Sequence, residues 1–138
     1  MATDFIIDAD MRLVLILFSG RVTVAEMYDG RHRMMADPGF GRSFSQLVDA
    51  RSVTTFEMKA YTIKEFAQEH VFSASARRAI VMKYTPDFGL ARMFQIYREL
   101  AGDTGVIQIF DDMDKAIKWL GLPSDYRWNT APSEVTSI

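Results

Sequence analysis

The order of apolar segments predicts an α/β fold with a mixed five-stranded sheet and four helices. Two β-branched apolar runs near the start are separated by only four residues, which suits an antiparallel hairpin. After them, helix-like amphipathic segments alternate with strand-like runs, a pattern typical of parallel strands joined by helical crossovers. We therefore expect an N-terminal antiparallel hairpin whose second strand begins a series of four successive parallel strands.

The hairpin is predicted at residues 5–7 and 12–18, with a turn between them. Residues 13–18 are all apolar, although alternate residues of a strand point to opposite faces of the sheet. A strand of this kind is covered on both faces. We expect it to be a central strand that ends before a turn at Ser19 and Gly20.

The first helix has clear start and stop signals. Thr23 and Glu26 have the spacing of a capping box, in which the two residues satisfy free backbone N–H groups of the first turn. Asp37 precedes Pro38, and a residue before proline disfavours the helical conformation. The helix should therefore end at about Ala36.

The remaining elements are predicted from apolar periodicity and from turn residues. Strands are expected at residues 44–49, 77–83 and 106–110, and helices at 59–70, 86–101 and from 111–112 to about 121. The last helix opens with Asp111, Asp112 and Asp114. These acids could bind a metal ion, but their position favours capping of free N–H groups, so we expect no metal site.

The elements fit one domain over residues 1–123, followed by a partly disordered tail over residues 124–138. Crossovers of one hand place their helices mainly on one face of the sheet. The other apolar face then needs cover, either from a partner chain in a homodimer or from the tail, where Tyr126 and Trp128 are large enough to dock.

Composition excludes several classes of function. The chain has 16 basic and 18 acidic residues, a net charge of -2 and no cysteine. This balance disfavours nucleic-acid binding, and the lack of thiols excludes disulfides and cysteine nucleophiles. The longest apolar run is far shorter than the roughly 20 residues of a membrane span, and the acidic start does not resemble a signal peptide. We expect a cytoplasmic protein without a cofactor.

Four segments carry a resemblance to a known family. They read L-V-D-A-R-S-V-T-T-F at 47–56, R-R-A-I-V-M-K at 77–83 and A-I-K-W-L-G at 116–121, with F-G-L-A-R-M-F at 88–94 between the last two. With the predicted element order, they resemble the STAS superfamily, especially the SpoIIAA-like proteins of unknown function. The resemblance covers roughly residues 3–121 and implies the same fold.

The related anti-sigma factor antagonists carry a switch loop with the pattern Asp-Leu-x-x-Val-x-x-x-Asp-Ser-Ser/Thr-Gly, in which a hydroxyl is phosphorylated. In this sequence the acidic and valine positions are filled by Asp49, Val53 and Glu57. Met58 and Lys59 stand where the hydroxyls would be, and neither is a phosphoryl acceptor of that kind. The resemblance therefore implies the loop without its usual phospho-switch.

Two functions remain compatible with this sequence. The first is a non-catalytic interaction or regulatory module, since no nucleophile–base pair or paired carboxylate has a recognisable spacing. Its partner would bind an exposed loop at residues 49–62, through Asp49, Arg51, Ser52, Thr54, Thr55, Glu57 and Lys59. The alternative is a carrier of a small apolar, lipid-like ligand held between the predicted second and third helices by Phe66, Met93 and Tyr97.

Overall fold

The computed structural model describes residues 3–57, 76–83 and 106–126. Its elements follow in chain order: β1 Thr3–Asp8, β2 Leu13–Thr23, α1 Val24–Ala36, β3 Ser45–Glu57, β4 Arg77–Val81, β5 Val106–Phe110 and α2 Met113–Trp119. Within these residues no helix is long and apolar enough to cross a membrane.

The five strands form one sheet in the order β1-β2-β3-β4-β5. β1 and β2 are antiparallel, and the pairs β2–β3, β3–β4 and β4–β5 are parallel. The predicted mixed sheet is therefore confirmed. Two of the four predicted helices are described, and the predicted helices at 59–70 and 86–101 lie outside the described residues.

Both described helices begin at the caps that the sequence predicts. The Thr23 hydroxyl accepts the Glu26 backbone N–H at 3.2 Å and lies 3.0 Å from the Glu26 carboxylate. Asp112 caps α2, because its Oδ1 accepts the Asp114 N–H at 3.0 Å. At the other end of α2, Gly121 has a φ of 76°, a conformation that glycine adopts without steric cost.

α1 and α2 lie on opposite faces of the sheet. Leu13 and Leu15 of β2 share a buried cluster with Ala116 and Ile117 of α2. Val14, which points the other way, shares a second cluster with Met34 of α1. Each face of β2 is thus covered by a helix, as its uninterrupted apolar run predicts.

The segment that follows α2 covers the α2 face of the sheet near the hairpin. Leu122 and Tyr126 pack against the cluster formed by β2 and α2. The Tyr126 hydroxyl donates to Asp8 Oδ2 at 3.2 Å, which ties this segment to the end of β1. The cover that was expected from a partner chain or from the tail comes here from α2 and from Tyr126 of the tail, so this face provides no argument for a homodimer. Trp128 lies outside the described residues.

The contact between Tyr126 and Asp8 should make stability depend on pH in alkaline solution. Burial first, and then the charge of Asp8 and the hydrogen bond to it, raise the pKa of Tyr126 above its usual value. The unfolded chain releases this proton near pH 10, so the stabilisation is present below about pH 10 and is lost as the pH rises further. Tyr126→Phe should cost about 1 kcal/mol near neutral pH.

Chemical denaturation of both proteins across this pH range tests the prediction. The stability advantage of the wild type over Tyr126→Phe should shrink above about pH 10, because only the wild type carries this proton. If the wild type stayed more stable than Tyr126→Phe by the same amount in strongly alkaline solution, the contact between Tyr126 and Asp8 would be contradicted.

The largest difference from the predicted fold lies in the lengths of β2 and β3. β2 continues through the expected turn at Ser19 and Gly20, and β3 continues from Asp49 to Glu57. The prediction of an exposed loop is therefore wrong for residues 49–57. Val53, Thr54, Thr55 and Phe56 are β-branched or aromatic residues that favour strands, and pairing with β2 outweighs the turn tendency of the hydroxyl residues.

Candidate functional site

The carboxyl-terminal half of β3 extends past its neighbour on one side. β3 pairs with β4 only from Gln46 to Asp49, whereas its pairing with β2 continues to Glu57. Residues 50–57 and the end of β2 therefore form a two-stranded ribbon beyond the β3–β4 pairing. We call this structure the β2–β3 ribbon, comprising residues 19–23 and 50–57.

Two irregularities shape the β2–β3 ribbon. Leu17 pairs with Asp49 but Ser19 pairs with Ser52, so β3 holds one extra residue in this interval. Gly20 pairs with Val53 but Arg21 pairs with Thr55, so β3 holds a second extra residue here. Extra residues of this kind are β-bulges, which bend a strand and change the direction of its side chains. Gly20 has a φ of 64°, so the backbone beside the second bulge favours glycine.

The first bulge brings Asp49 and Arg51 together. Asp49 is 5% exposed, and its Oδ1 accepts the Arg51 backbone N–H at 3.1 Å. The Arg51 guanidinium also donates two hydrogen bonds of 2.9 Å, one to each carboxylate oxygen. This bidentate geometry fixes the orientation of an arginine side chain that remains 42% exposed.

The start of α2 adds a further charge to this pair. The pKa of Arg51 is raised chiefly by its hydrogen bond to Asp49, against the opposing effect of burial, with the charges of Asp49 and Asp112 contributing in the same direction. Asp112, which caps α2, thus acts on Arg51 through its charge, although the two residues are far apart in the chain.

The outer part of the β2–β3 ribbon is polar. Its exposed residues on β3 are Ser52, Thr54, Thr55 and Glu57. Glu57 pairs with Arg21 of β2, with Nη2 2.6 Å from Oε1 and Nε in contact with Oε2. Phe56 is partly buried and meets Phe18 edge to face at 6.1 Å between ring centroids. The ribbon is thus fixed by an aromatic contact and presents hydroxyls and charges outward.

The structure brings together some predicted site residues and not others. Asp49 and Arg51 are in direct contact, whereas Glu57 lies at the far end of the ribbon and pairs with Arg21. Lys59 lies outside the described residues, as do Met58 and the residues of the predicted apolar ligand site, Phe66, Met93 and Tyr97.

Sequence reasoning missed Arg21 and Asp112 as parts of the site. Arg21 reaches Glu57 only through the β2–β3 register, and Asp112, which follows β5, acts on Arg51 through its charge. No local sequence motif indicates that Arg21 or Asp112 belongs to the site. Within residues 3–57, 76–83 and 106–126, no group of three or more histidine, aspartate or glutamate residues could hold a metal ion.

Comparison with known proteins supports the fold. No protein-family model and no curated protein matches this chain. The chain is similar to the crystal structure of an uncharacterised protein of the DUF3478 family with a SpoIIAA-like fold, from Shewanella loihica PV-4. The identity is 16%, the TM-score is 0.54, and the match covers 86% of this chain and 92% of that one. The chain therefore has a SpoIIAA-like fold, which confirms at the level of the fold the resemblance seen in its sequence.

Proposed function

We propose that this protein is a non-catalytic interaction or regulatory module that binds a partner protein along the β2–β3 ribbon. The observation that carries the proposal is the exposed polar strip of β3 from Ser52 to Glu57, which extends past β4 on a paired strand. The strip occupies the place of the switch loop in the related signalling proteins that the sequence resembles.

The ordered state of this strip favours binding. Freezing a mobile side chain at an interface costs about 0.5 to 1.5 kcal/mol, and ordering a loop adds to that cost. In the β2–β3 ribbon the backbone is already paired, and the Arg51 side chain is already held by Asp49. Folding therefore already supplies most of the free energy needed to order this surface before a partner binds.

The proposal includes neither catalysis nor the usual phospho-switch. Its support is chemical: the sequence places methionine and lysine where the related proteins carry hydroxyls. The carrier of an apolar ligand stays a prediction from the sequence, because Phe66, Met93 and Tyr97 lie outside the described residues.

A steric block of the strip tests the proposed function. The variant Ser52→Tyr/Thr54→Tyr places two large side chains at exposed strand positions, where aromatic residues favour the strand. The matched control Ala36→Tyr/Ser124→Tyr changes exposed residues at the end of α1 and after α2. The wild type and both variants would be tagged and checked for equal thermal stability. Each would then be used to capture partner proteins from an extract of the source cells.

We expect partners that are retained by the wild type and by the control to be lost from Ser52→Tyr/Thr54→Tyr. The physical reason is that interface cores are densely packed and do not admit two added rings. Equal retention by all three proteins would refute binding along the β2–β3 ribbon.

A further inference from the structure

All the sulfur of this chain is in methionine side chains. The sequence has nine methionines and no cysteine. Its thioethers are therefore the sulfur groups that a peroxide can oxidise reversibly, since methionine sulfoxide can be reduced back to methionine. An oxidant in solution must reach the sulfur atom before it can react, so the fold decides which methionine reacts first.

The methionines of the described residues differ widely in exposure. Met34 and Met82 are each 3% exposed and belong to buried clusters. Met11 and Met113 are partly buried and pack against the cluster around β2 and α2. Met27 is also partly buried. Met35, by contrast, is 48% exposed, and among the described residues it is the one large apolar side chain that is exposed.

The two neighbouring methionines of α1 have opposite environments. Consecutive residues of an α-helix point about 100° apart, because one turn takes 3.6 residues. Met34 packs in the cluster that contains Phe5 and Val14, whereas Met35 joins no buried cluster of the described residues. An added oxygen atom on Met34 would place a polar group in the core, and an added oxygen atom on Met35 would face water.

We propose that Met35 is a site of reversible oxidation by peroxides on the surface of α1. The thioether sulfur takes one oxygen atom from hydrogen peroxide and loses two electrons, which forms the sulfoxide and releases water. A reductase with a dithiol reverses the step, because the sulfoxide oxygen leaves as water and the dithiol becomes a disulfide. Oxidation at Met35 goes beyond the proposed function and does not depend on partner binding along the β2–β3 ribbon.

The sequence provides an internal control for the test. Trypsin cleaves after Arg33 and Arg42, so a single peptide, residues 34–42, carries both methionines of this pair. The full chain would be treated with dilute hydrogen peroxide, quenched at intervals with free methionine and digested. Fragment masses within the peptide then assign each added oxygen atom to Met34 or to Met35.

In the folded protein, Met35 should be oxidised about tenfold faster than Met34, because the oxidant reaches only the exposed sulfur. In concentrated urea the two rates should become equal, since unfolding exposes both side chains. Oxidation of Met35 alone should leave the thermal unfolding midpoint unchanged. Methionine sulfoxide reductase with dithiothreitol should then restore the original mass of the peptide.

The variant Met35→Leu keeps the size and the helix preference of methionine but removes the thioether. In this variant the peptide of residues 34–42 should stay unoxidised during the period in which the wild-type peptide gains one oxygen atom. Equal rates at Met34 and Met35 in the folded protein would overturn the proposal. So would a sulfoxide at Met35 that lowers the unfolding midpoint or resists the reductase.

Discussion

Replacing Leu15 with alanine should lower the free energy of unfolding by about 3 kcal/mol. Leu15 is 1% exposed and lies in the cluster that joins β2, β3, β4 and α2. Truncation removes buried apolar contacts and leaves a cavity that rigid strands on both sides cannot close. Urea denaturation, with the midpoint and slope fitted together, measures the loss.

Leu17→Ala is the matched control, because it makes the same chemical change on the same strand and face. Leu17 is half-buried, so the expected loss is only about 1 kcal/mol. Equal losses at Leu15 and Leu17 would contradict the difference in burial between the two side chains.

Replacing Arg51 with methionine should cost about 2 kcal/mol of stability. Asp49 is 5% exposed, and Arg51 supplies two of the side-chain hydrogen bonds that satisfy its carboxylate. Without the guanidinium, the buried carboxylate keeps the backbone N–H of residue 51 as its hydrogen-bond donor among the described residues. The loss is therefore mainly the desolvation cost of the carboxylate that is left behind.

Two further variants separate this cost from a general effect of losing a charge. Asp49→Asn/Arg51→Met removes the buried charge along with its partner and should be less destabilised than Arg51→Met alone. Arg21→Met breaks an ion pair whose side chains are 70% and 36% exposed, so its expected effect is within about 0.5 kcal/mol. Equal losses for Arg51→Met and Arg21→Met would refute a special role for the buried pair.

β3 is a bulged, paired strand at the position where a switch loop is predicted. The sequence resemblance predicts an exposed switch loop after Asp49, whereas the described chain continues as a strand to Glu57. A switch loop changes its surface when it is modified, and a paired strand keeps its surface fixed. Because Met58 and Lys59 also replace the two hydroxyl residues of the family pattern, we propose constitutive binding rather than a phosphorylation-controlled switch.

Local signals account for the parts of the fold that sequence predicted well. The Thr23 cap, the Asp112 cap and the strand at Val106–Phe110 each depend on neighbouring residues and appear where expected. The all-apolar run in β2 likewise predicts a strand covered on both faces, because alternation of side chains is a property of the strand itself. The five-stranded mixed sheet follows from these elements and from the short connection between β1 and β2.

The candidate site depends on contacts that the sequence does not encode locally. Asp49 and Arg51 were both predicted as site residues, but their mutual contact depends on a bulge that only the β2–β3 register reveals. Arg21 reaches Glu57 across strands, and the charge of Asp112 acts on Arg51 from the start of a helix. The sequence by itself determined the elements and the fold class, because those depend on short-range periodicity and capping. Tertiary structure decided that the expected loop is a strand and which charges meet beside it, because strand register and helix placement are set by packing between distant segments.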